Sequence, residues 1–359
     1  MKQPALGITA TVLVMAISLA FVHLFDFPTF AGWVGYLLLC TIPLQIMMIV
    51  TWGTEQPAFA GKARQPVKGV GLTLICVVLG LAIGAALIPL IGANATPPGP
   101  IISHWVIVCV PVMFWAAIMW GGWPFTKLIK HPLAAGLVMI VAVYVVNHLL
   151  FRVFFNYDFL SGAPVYVASM DPHGMFNGWN ALVFEVTALA GMFLVLGFDL
   201  WPMTTVPAIM KQPVLGIVWT IVCLVFAAAA FQIGVNVFHM DVVRFLVRVT
   251  VPLIFGSIVV LNMLDNSLAG KLKQPLKGIV NTVLIVAIGV GLARVYEALM
   301  PLVTGRLAYG APTYDFEIWL ASALLSTTFP FLMFYLAFFG AWPLAKPASP
   351  EGQAVQSAR

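Results

Sequence analysis

Apolar stretches long enough to cross a lipid bilayer recur from one end of this sequence to the other. Each covers about 20 residues, the length that a helix needs to span a hydrocarbon core of about 30 Å. Charged residues make up only 8% of the 359-residue chain, whereas soluble domains carry roughly 25%. A globule of this size could not bury so much apolar surface, so the excess must face lipid. The chain is therefore predicted to be an all-α integral membrane protein.

A short motif, in most copies a basic residue followed by glutamine and proline, opens five successive segments of the chain. Its copies are Lys2-Gln3-Pro4, Arg64-Gln65-Pro66, Lys130-His131-Pro132, Lys211-Gln212-Pro213 and Lys273-Gln274-Pro275. Recurrence every 60 to 80 residues or so indicates a repeated supersecondary unit, and proline is favoured in the first turn of a helix. We predict one transmembrane domain of five parallel two-helix repeats (1–62, 63–128, 129–210, 211–271 and 272–346) and a disordered polar tail, 347–359.

The apolar stretches within these repeats predict ten spanning helices. Their expected bounds are 5–25, 31–52, 67–92, 102–122, 132–155, 178–200, 213–238, 243–265, 275–300 and 315–340. An even number of spans places both termini on one side of the membrane.

The second helix of most repeats carries a proline near its centre, in several cases preceded by a threonine. The prolines are Pro43, Pro111, Pro252 and Pro330, and the threonines two places before three of them are Thr41, Thr250 and Thr328. Proline inside a spanning helix frees a backbone carbonyl, which a nearby hydroxyl or a water can partly satisfy. Two interpretations stay open: kinks that only shape the packing, or hinges and opened carbonyls that line a path.

The charges divide unequally between the two ends of these helices. Every lysine falls at the end that carries the Gln-Pro motifs, here called the Gln-Pro side, whereas most arginines lie toward the other end. Because cytoplasmic loops carry the excess of lysine and arginine, the Gln-Pro side and both termini are predicted to be cytoplasmic. The formal net charge of +5 follows from this sidedness and requires no nucleic-acid partner. A bacterial cytoplasmic (inner) membrane is the expected location.

Ionisable residues inside the apolar stretches are the first candidates for a site. Glu185 and Arg248 occupy the same repeat position and are expected at one depth, where they could form an ion pair. Charges inside a bilayer are costly and usually face the protein interior or water. Arg244 lies one helical turn before Arg248, and Arg294 with Glu297 belongs to the next repeat. These residues are predicted to form a substrate or ion path, with purely structural pairing as the alternative.

Five histidines cluster by depth near the end opposite the Gln-Pro side: His23, His104, His148, His173 and His239. Imidazole with carboxylate can bind copper, zinc or nickel, and His173, His239, His148 and Asp171 are the candidate metal ligands. Two facing histidines could instead hold a haem, with His23, His104 and His148 as candidates. No metal-ligand spacing such as HxxxH is present, and ordinary polarity at the membrane interface is the favoured explanation of the histidines. No cofactor is therefore predicted.

Two functions remain in view. The sequence contains no GxxxxGK[ST], GxSxG or HExxH motif, so neither an ATPase nor a hydrolase is indicated. Repeated kinked helices and charges within the spans favour a transporter or channel-like permease for a small solute. The alternative is a non-catalytic membrane subunit of a larger redox, quinone-linked or enzyme complex, which anchors partner subunits and binds lipid or cofactor.

Overall fold

Ten long apolar helices dominate the computed structural model, which describes residues 1–53, 57, 60 and 63–345. They are α1 (Ala5–Val22), α2 (Phe27–Val50), α3 (Val67–Leu90), α4 (Pro100–Met119), α5 (Pro132–Phe154), α6 (Gly178–Gly197), α7 (Val214–Val237), α8 (Val242–Met263), α9 (Leu276–Val303) and α10 (Asp315–Phe338). All ten are long and apolar enough to cross a bilayer. The prediction of an all-α, multi-pass membrane protein is confirmed, and the helix bounds differ by only a few residues from those expected. Lys62, Glu55 and the tail, 347–359, lie outside the described residues.

The even-numbered helices are markedly more buried than the odd-numbered ones. Over an 18-residue apolar stretch of each helix, between 56% and 72% of the residues are buried in α2, α4, α6, α8 and α10, against 22% to 44% in α1, α3, α5, α7 and α9. The odd-numbered helices instead expose rows of branched aliphatic side chains, such as Val12, Val78, Val141, Val225 and Val283. Helices that are apolar on every face are suited to lipid contact. The even-numbered helices are therefore the inner ones and the odd-numbered helices the outer ones.

The glutamine of the Gln-Pro motif joins an outer helix to the end of an inner one in three places, and to Asp199, just after α6, in a fourth. The side-chain oxygens of Gln3, Gln65, Gln212 and Gln274 each accept a hydrogen bond of 3.1 Å from the N–H of the glycine four residues later. Their side-chain nitrogens donate to the carbonyls of Met263, Phe338 and Met119 and to the Asp199 carboxylate, at 2.7 to 2.9 Å. A helix leaves its first N–H groups and last carbonyls without partners. One glutamine amide thus satisfies the beginning of an outer helix and, in three of the four cases, the last carbonyl of an inner one.

Several inner helices change from α-helical to π-helical geometry along their length. Pro252 and Pro330 are the second residues of the α-helical segments that follow the π-helical segments Leu246–Thr250 and Ser322–Thr328, whereas Pro43 and Pro111 lie within α-helical segments. π-helical turns and prolines are the usual places where helices bend.

The threonines near these prolines satisfy backbone carbonyls or join helices. Thr41 donates to the Leu38 carbonyl and Thr328 to the Ala323 carbonyl, while the hydroxyls of Thr250 and Thr187 lie 3.0 Å apart. These hydrogen bonds satisfy the threonine hydroxyls, so no bound solute is needed to explain why the threonines lie there.

The longest connection, between α5 and α6, carries the little sheet structure in the fold. Strand β1 (Phe155–Asn156) pairs in parallel with strand β2 (Phe176–Asn177). Asp171 holds the segment between them: its carboxylate accepts hydrogen bonds from the N–H groups of Tyr157 and His173 and from the Tyr166 hydroxyl. The other short elements among the described residues are the helix Phe125–Leu128 and the 3₁₀ turns Asp158–Leu160, Ala168–Met170 and Met203–Thr205.

Candidate functional site

All five inner helices surround a cavity of about 320 Å³ at the end of the molecule opposite the Gln-Pro side. We call it the distal cavity. Its wall consists mainly of aliphatic and aromatic side chains, among them Ile107, Leu182, Val247 and Leu325. The volume lies within the range, about 300 to 1,000 Å³, that is usual for small-molecule sites.

A second cavity, of about 530 Å³, lies among the other ends of the same helices. We call it the proximal cavity because it is next to the Gln-Pro motifs. Ile49, Ile118 and Leu196 contribute to its apolar wall, and Asp199, Asn262 and Asn266 add polar groups. The Asp199 carboxylate also accepts hydrogen bonds from Gln274 and, at 2.7 Å, from Lys277.

Four side chains form a wall between the two cavities and line both of them. They are Phe114 of α4, Phe193 of α6, Ile258 of α8 and Phe329 of α10, here called the apolar layer. The ring centroids of Phe114 and Phe193 are 5.3 Å apart, edge to face, and those of Phe114 and Phe329 are 6.2 Å apart. Both are favourable aromatic separations. The molecule thus has one cavity toward each end, and these four apolar side chains line both.

The polar side chains of the distal cavity are few, and two of them are ionisable. Glu317, near the start of α10, is 3% exposed, and one of its carboxylate oxygens accepts a hydrogen bond of 3.1 Å from the Gly310 N–H. His104, near the start of α4, is 4% exposed, and its Nδ1 lies 3.0 Å from the Tyr157 hydroxyl. The His104 ring also packs edge to face on Trp179 of α6, at 4.5 Å between centroids. These three residues come from the same ends of three inner helices.

The predicted ion pair between Glu185 and Arg248 does not form. Both guanidinium nitrogens of Arg248 donate to the two oxygens of Glu297, at 2.7 and 2.8 Å, and the same carboxylate accepts from Arg294 at 2.8 Å. Arg248 also lies 5.2 Å above the Phe316 ring, in a cation–π contact. Equal depth fixes how far along its helix a residue lies but not the direction in which it points.

None of the five residues predicted for a substrate or ion path lines either cavity among the described residues. Arg248, Arg294 and Glu297 form one cluster on α8 and α9, and Arg244 is exposed one turn away. Glu185 is half-buried on α6, and within the described part of the chain its carboxylate has no hydrogen-bond partner. The arginine cluster has the form of the structural pairing that was the alternative interpretation.

Of the predicted metal ligands, the structure brings together Asp171 and His173, with Asp158 in addition. Their candidate ligand atoms lie within 4.8 Å of one another, whereas His148 and His239 are exposed and do not belong to this group. The Asp171 oxygens are already engaged in holding the α5–α6 connection, and His173 Nδ1 lies 3.1 Å from Asp158. The local hydrogen bonds explain the cluster without an ion.

The histidines considered for haem occupy different surroundings. His104 is buried against Tyr157 and Trp179, while His23 is exposed and bonded at 2.7 Å to the Val303 carbonyl. His148 is exposed on α5.

The sequence pattern did not single out the residues of the apolar layer. Phenylalanine is frequent throughout this chain, with 26 residues, so no single one is distinctive. Glu317 was recognisable only as an acidic residue at the beginning of a span. A useful indication would have been its position, 13 residues before the central proline of its helix. The inner helices with prolines at 43, 111 and 252 carry no acidic residue there.

No known protein family, characterised protein or solved structure shows significant similarity to this chain.

Proposed function

We propose that this protein is a transporter or channel-like permease, and that a small solute passes between the distal and proximal cavities through the apolar layer. The observation that carries the proposal is that two cavities lie at opposite ends of one ring of inner helices and share a four-residue wall. Hydrophobic constrictions close membrane pores by excluding water. Opening would require the inner helices to move apart at the layer, and their π-helical segments and prolines are suited to such bending.

The wider organisation that we propose is five parallel two-helix repeats with both termini in the cytoplasm of a bacterial cell. The recurring glutamine contacts at four of the five motifs support the repeat. The lysine bias supports a cytoplasmic Gln-Pro side. In this orientation the distal cavity faces outward and the proximal cavity faces the cytoplasm.

Substitution of the apolar layer tests the proposed path. We expect Phe193→Ser, alone or with Phe114→Ser, to let water enter the layer. In planar lipid bilayers that separate two potassium chloride solutions, these variants should give a steady ionic conductance, whereas the unsubstituted protein should stay closed. The control is Phe238→Ser, which changes a phenylalanine that is 71% exposed at the end of an outer helix. Layer variants that fold and remain as closed as the control would contradict the path.

The second candidate function, a membrane subunit of a larger complex, is favoured by one observation. The wall of the distal cavity is almost wholly apolar, which suits a lipid tail or a quinone-like cofactor as well as a passing solute. This function predicts that partner subunits co-purify from native membranes in mild detergent at a fixed stoichiometry. Two results together would argue against it: the protein purifies as a monodisperse species without partners, and its layer variants conduct ions.

A further inference from the structure

The chemistry of the distal cavity indicates which solutes it can hold. We propose that it binds an amphipathic organic cation, a protonated amine on an apolar body, with the ammonium group at Glu317. The inference rests on the proposed function, because it names the class of solute that would enter the path. It can nevertheless be tested by binding alone.

Glu317 supplies the negative charge. Its side chain is almost fully buried and lines the cavity, yet within the described part of the chain only one of its oxygens has a hydrogen-bond partner, the Gly310 N–H. An ammonium group that reached the other oxygen would form a charge-assisted hydrogen bond, which is roughly twice as strong as a neutral one. A buried carboxylate is costly unless it is paired, so a cationic ligand also offsets the cost of its burial.

The groups around Glu317 favour a cation as well. Trp179 and His104 lie at the same end of the cavity, and an indole ring attracts an ammonium group that approaches its face. Among the described residues that line the distal cavity there is no lysine or arginine. The Arg248 guanidinium donates both of its hydrogen bonds to Glu297 and none to Glu317.

Other classes of solute fit this lining less well. A carboxylate or phosphate would meet no cationic side chain in the cavity. A sugar needs many hydrogen bonds, and apart from Glu317 and His104 the wall offers chiefly Ser103, Ser322 and Ser326. A bare divalent cation such as Ca²⁺ requires six or more oxygen ligands, whereas the wall provides one carboxylate.

The remainder of the cavity is suited to the apolar body of the ligand. Leu182 and Val186 of α6 and Leu246 and Ile254 of α8 line it deeper than Glu317 and Trp179 do. Apolar surface buried there contributes about 25 cal/mol per Å². We therefore expect the ammonium group of the ligand to lie at the mouth of the cavity and its apolar body to lie in the interior.

Three ligands with the same six-carbon chain test the proposal by isothermal titration calorimetry on the full-length protein in detergent. We expect hexylammonium to bind more tightly than hexanol and hexanoate to give no measurable binding. Glu317→Gln keeps the shape of the side chain and an acceptor for Gly310 but removes the charge. It should weaken hexylammonium binding roughly tenfold or more, as expected for a charge-assisted hydrogen bond, while hexanol binding stays unchanged.

Asp315→Asn is the matched control, because Asp315 lies two residues away in the same turn and does not line the cavity. It should leave all three affinities as they are. Unchanged hexanol binding to Glu317→Gln shows that the cavity is intact, so that a loss of hexylammonium binding reports the charge. Hexanoate binding as tight as that of hexylammonium, or hexylammonium binding that is indifferent to Glu317→Gln, would overturn the proposal. These results are independent of the conductance of the layer variants, so the ligand class and the transport path can fail separately.

Discussion

At the scale of single residues, Glu297 stands out because one carboxylate faces two arginines. It neutralises Arg248 through two hydrogen bonds and Arg294 through a third, within the span of α9. Its side chain is 20% exposed and that of Arg248 is 29% exposed, so water screens this pair only partly. A charge left without its partner in such surroundings is strongly destabilising.

We therefore expect Glu297→Gln to lower the free energy of unfolding by about 3 kcal/mol, because it leaves two neighbouring guanidinium groups uncompensated. The measurement is equilibrium unfolding in mixed micelles with increasing denaturing detergent. Arg294→Gln is the control: this side chain is 64% exposed, and the loss of an exposed ion pair costs less than about 1 kcal/mol. Equal stability of the Glu297 variant and the unsubstituted protein would show that these ion pairs do not contribute to the free energy of unfolding.

The residue scale is also where prediction from sequence was weakest. The sequence correctly drew attention to Arg248 as a charge within a span, but it assigned Glu185 as the partner. Its partner in the structure, Glu297, was predicted to belong to the same path but was placed in the next repeat, and no specific pairing with Arg248 was predicted. Repeat position gives depth along a helix, whereas pairing depends on which faces of two helices meet, and that information is not local in the sequence.

At the scale of helices, close backbone contact decides which faces meet. Gly256 of α8 and Gly289 of α9 lie opposite each other, and a Cβ atom on either would collide with backbone atoms of the other helix, Ile285 and Pro252 respectively. Small residues at such crossings let spanning helices approach closely and gain packing energy. This contact brings α9 alongside α8, on which Arg248 is paired with Glu297.

Gly289→Ala should consequently force α8 and α9 apart and destabilise the protein by about 1 to 3 kcal/mol, the usual cost of overpacking. Gly291→Ala is the matched control on the same helix, since a Cβ atom there meets nothing within 4 Å. It should be neutral or slightly stabilising, because alanine favours helix more than glycine does by about 1 kcal/mol. Thermal unfolding followed by circular dichroism compares the two. Equal effects of both substitutions would mean that the crossing is looser than described.

The helices themselves were the most predictable part of the molecule. Chain lengths of about 20 apolar residues fix the spans almost alone, and the prolines of the Gln-Pro motifs mark the beginnings of α1, α3, α7 and α9. The role of the glutamine was not predictable, because its two hydrogen-bond partners include the end of a helix distant in sequence.

At the scale of the whole molecule, burial separates five inner helices from five outer ones, and only the inner ones contribute to the two described cavities. The alternation of outer and inner helices is partly visible in the sequence, because Gln-Pro motifs precede four outer helices and central prolines lie in four inner ones. The cavities and the apolar layer are not, because their residues are ordinary apolar side chains whose importance comes only from where the five helices converge.

The central claim is that the distal and proximal cavities open to opposite sides of the membrane. Single cysteines placed at Ser322, in the distal cavity, and at Leu196, in the proximal one, test it most directly. Each cysteine is introduced into a protein whose four native cysteines, all of them buried, are replaced by alanine. Val225→Cys, on the lipid face of α7, is the control that should not react. With a membrane-impermeant thiol reagent, Ser322→Cys should react in intact cells and Leu196→Cys only in inside-out vesicles. Reaction of both from one side, or of neither from either side, would contradict the account.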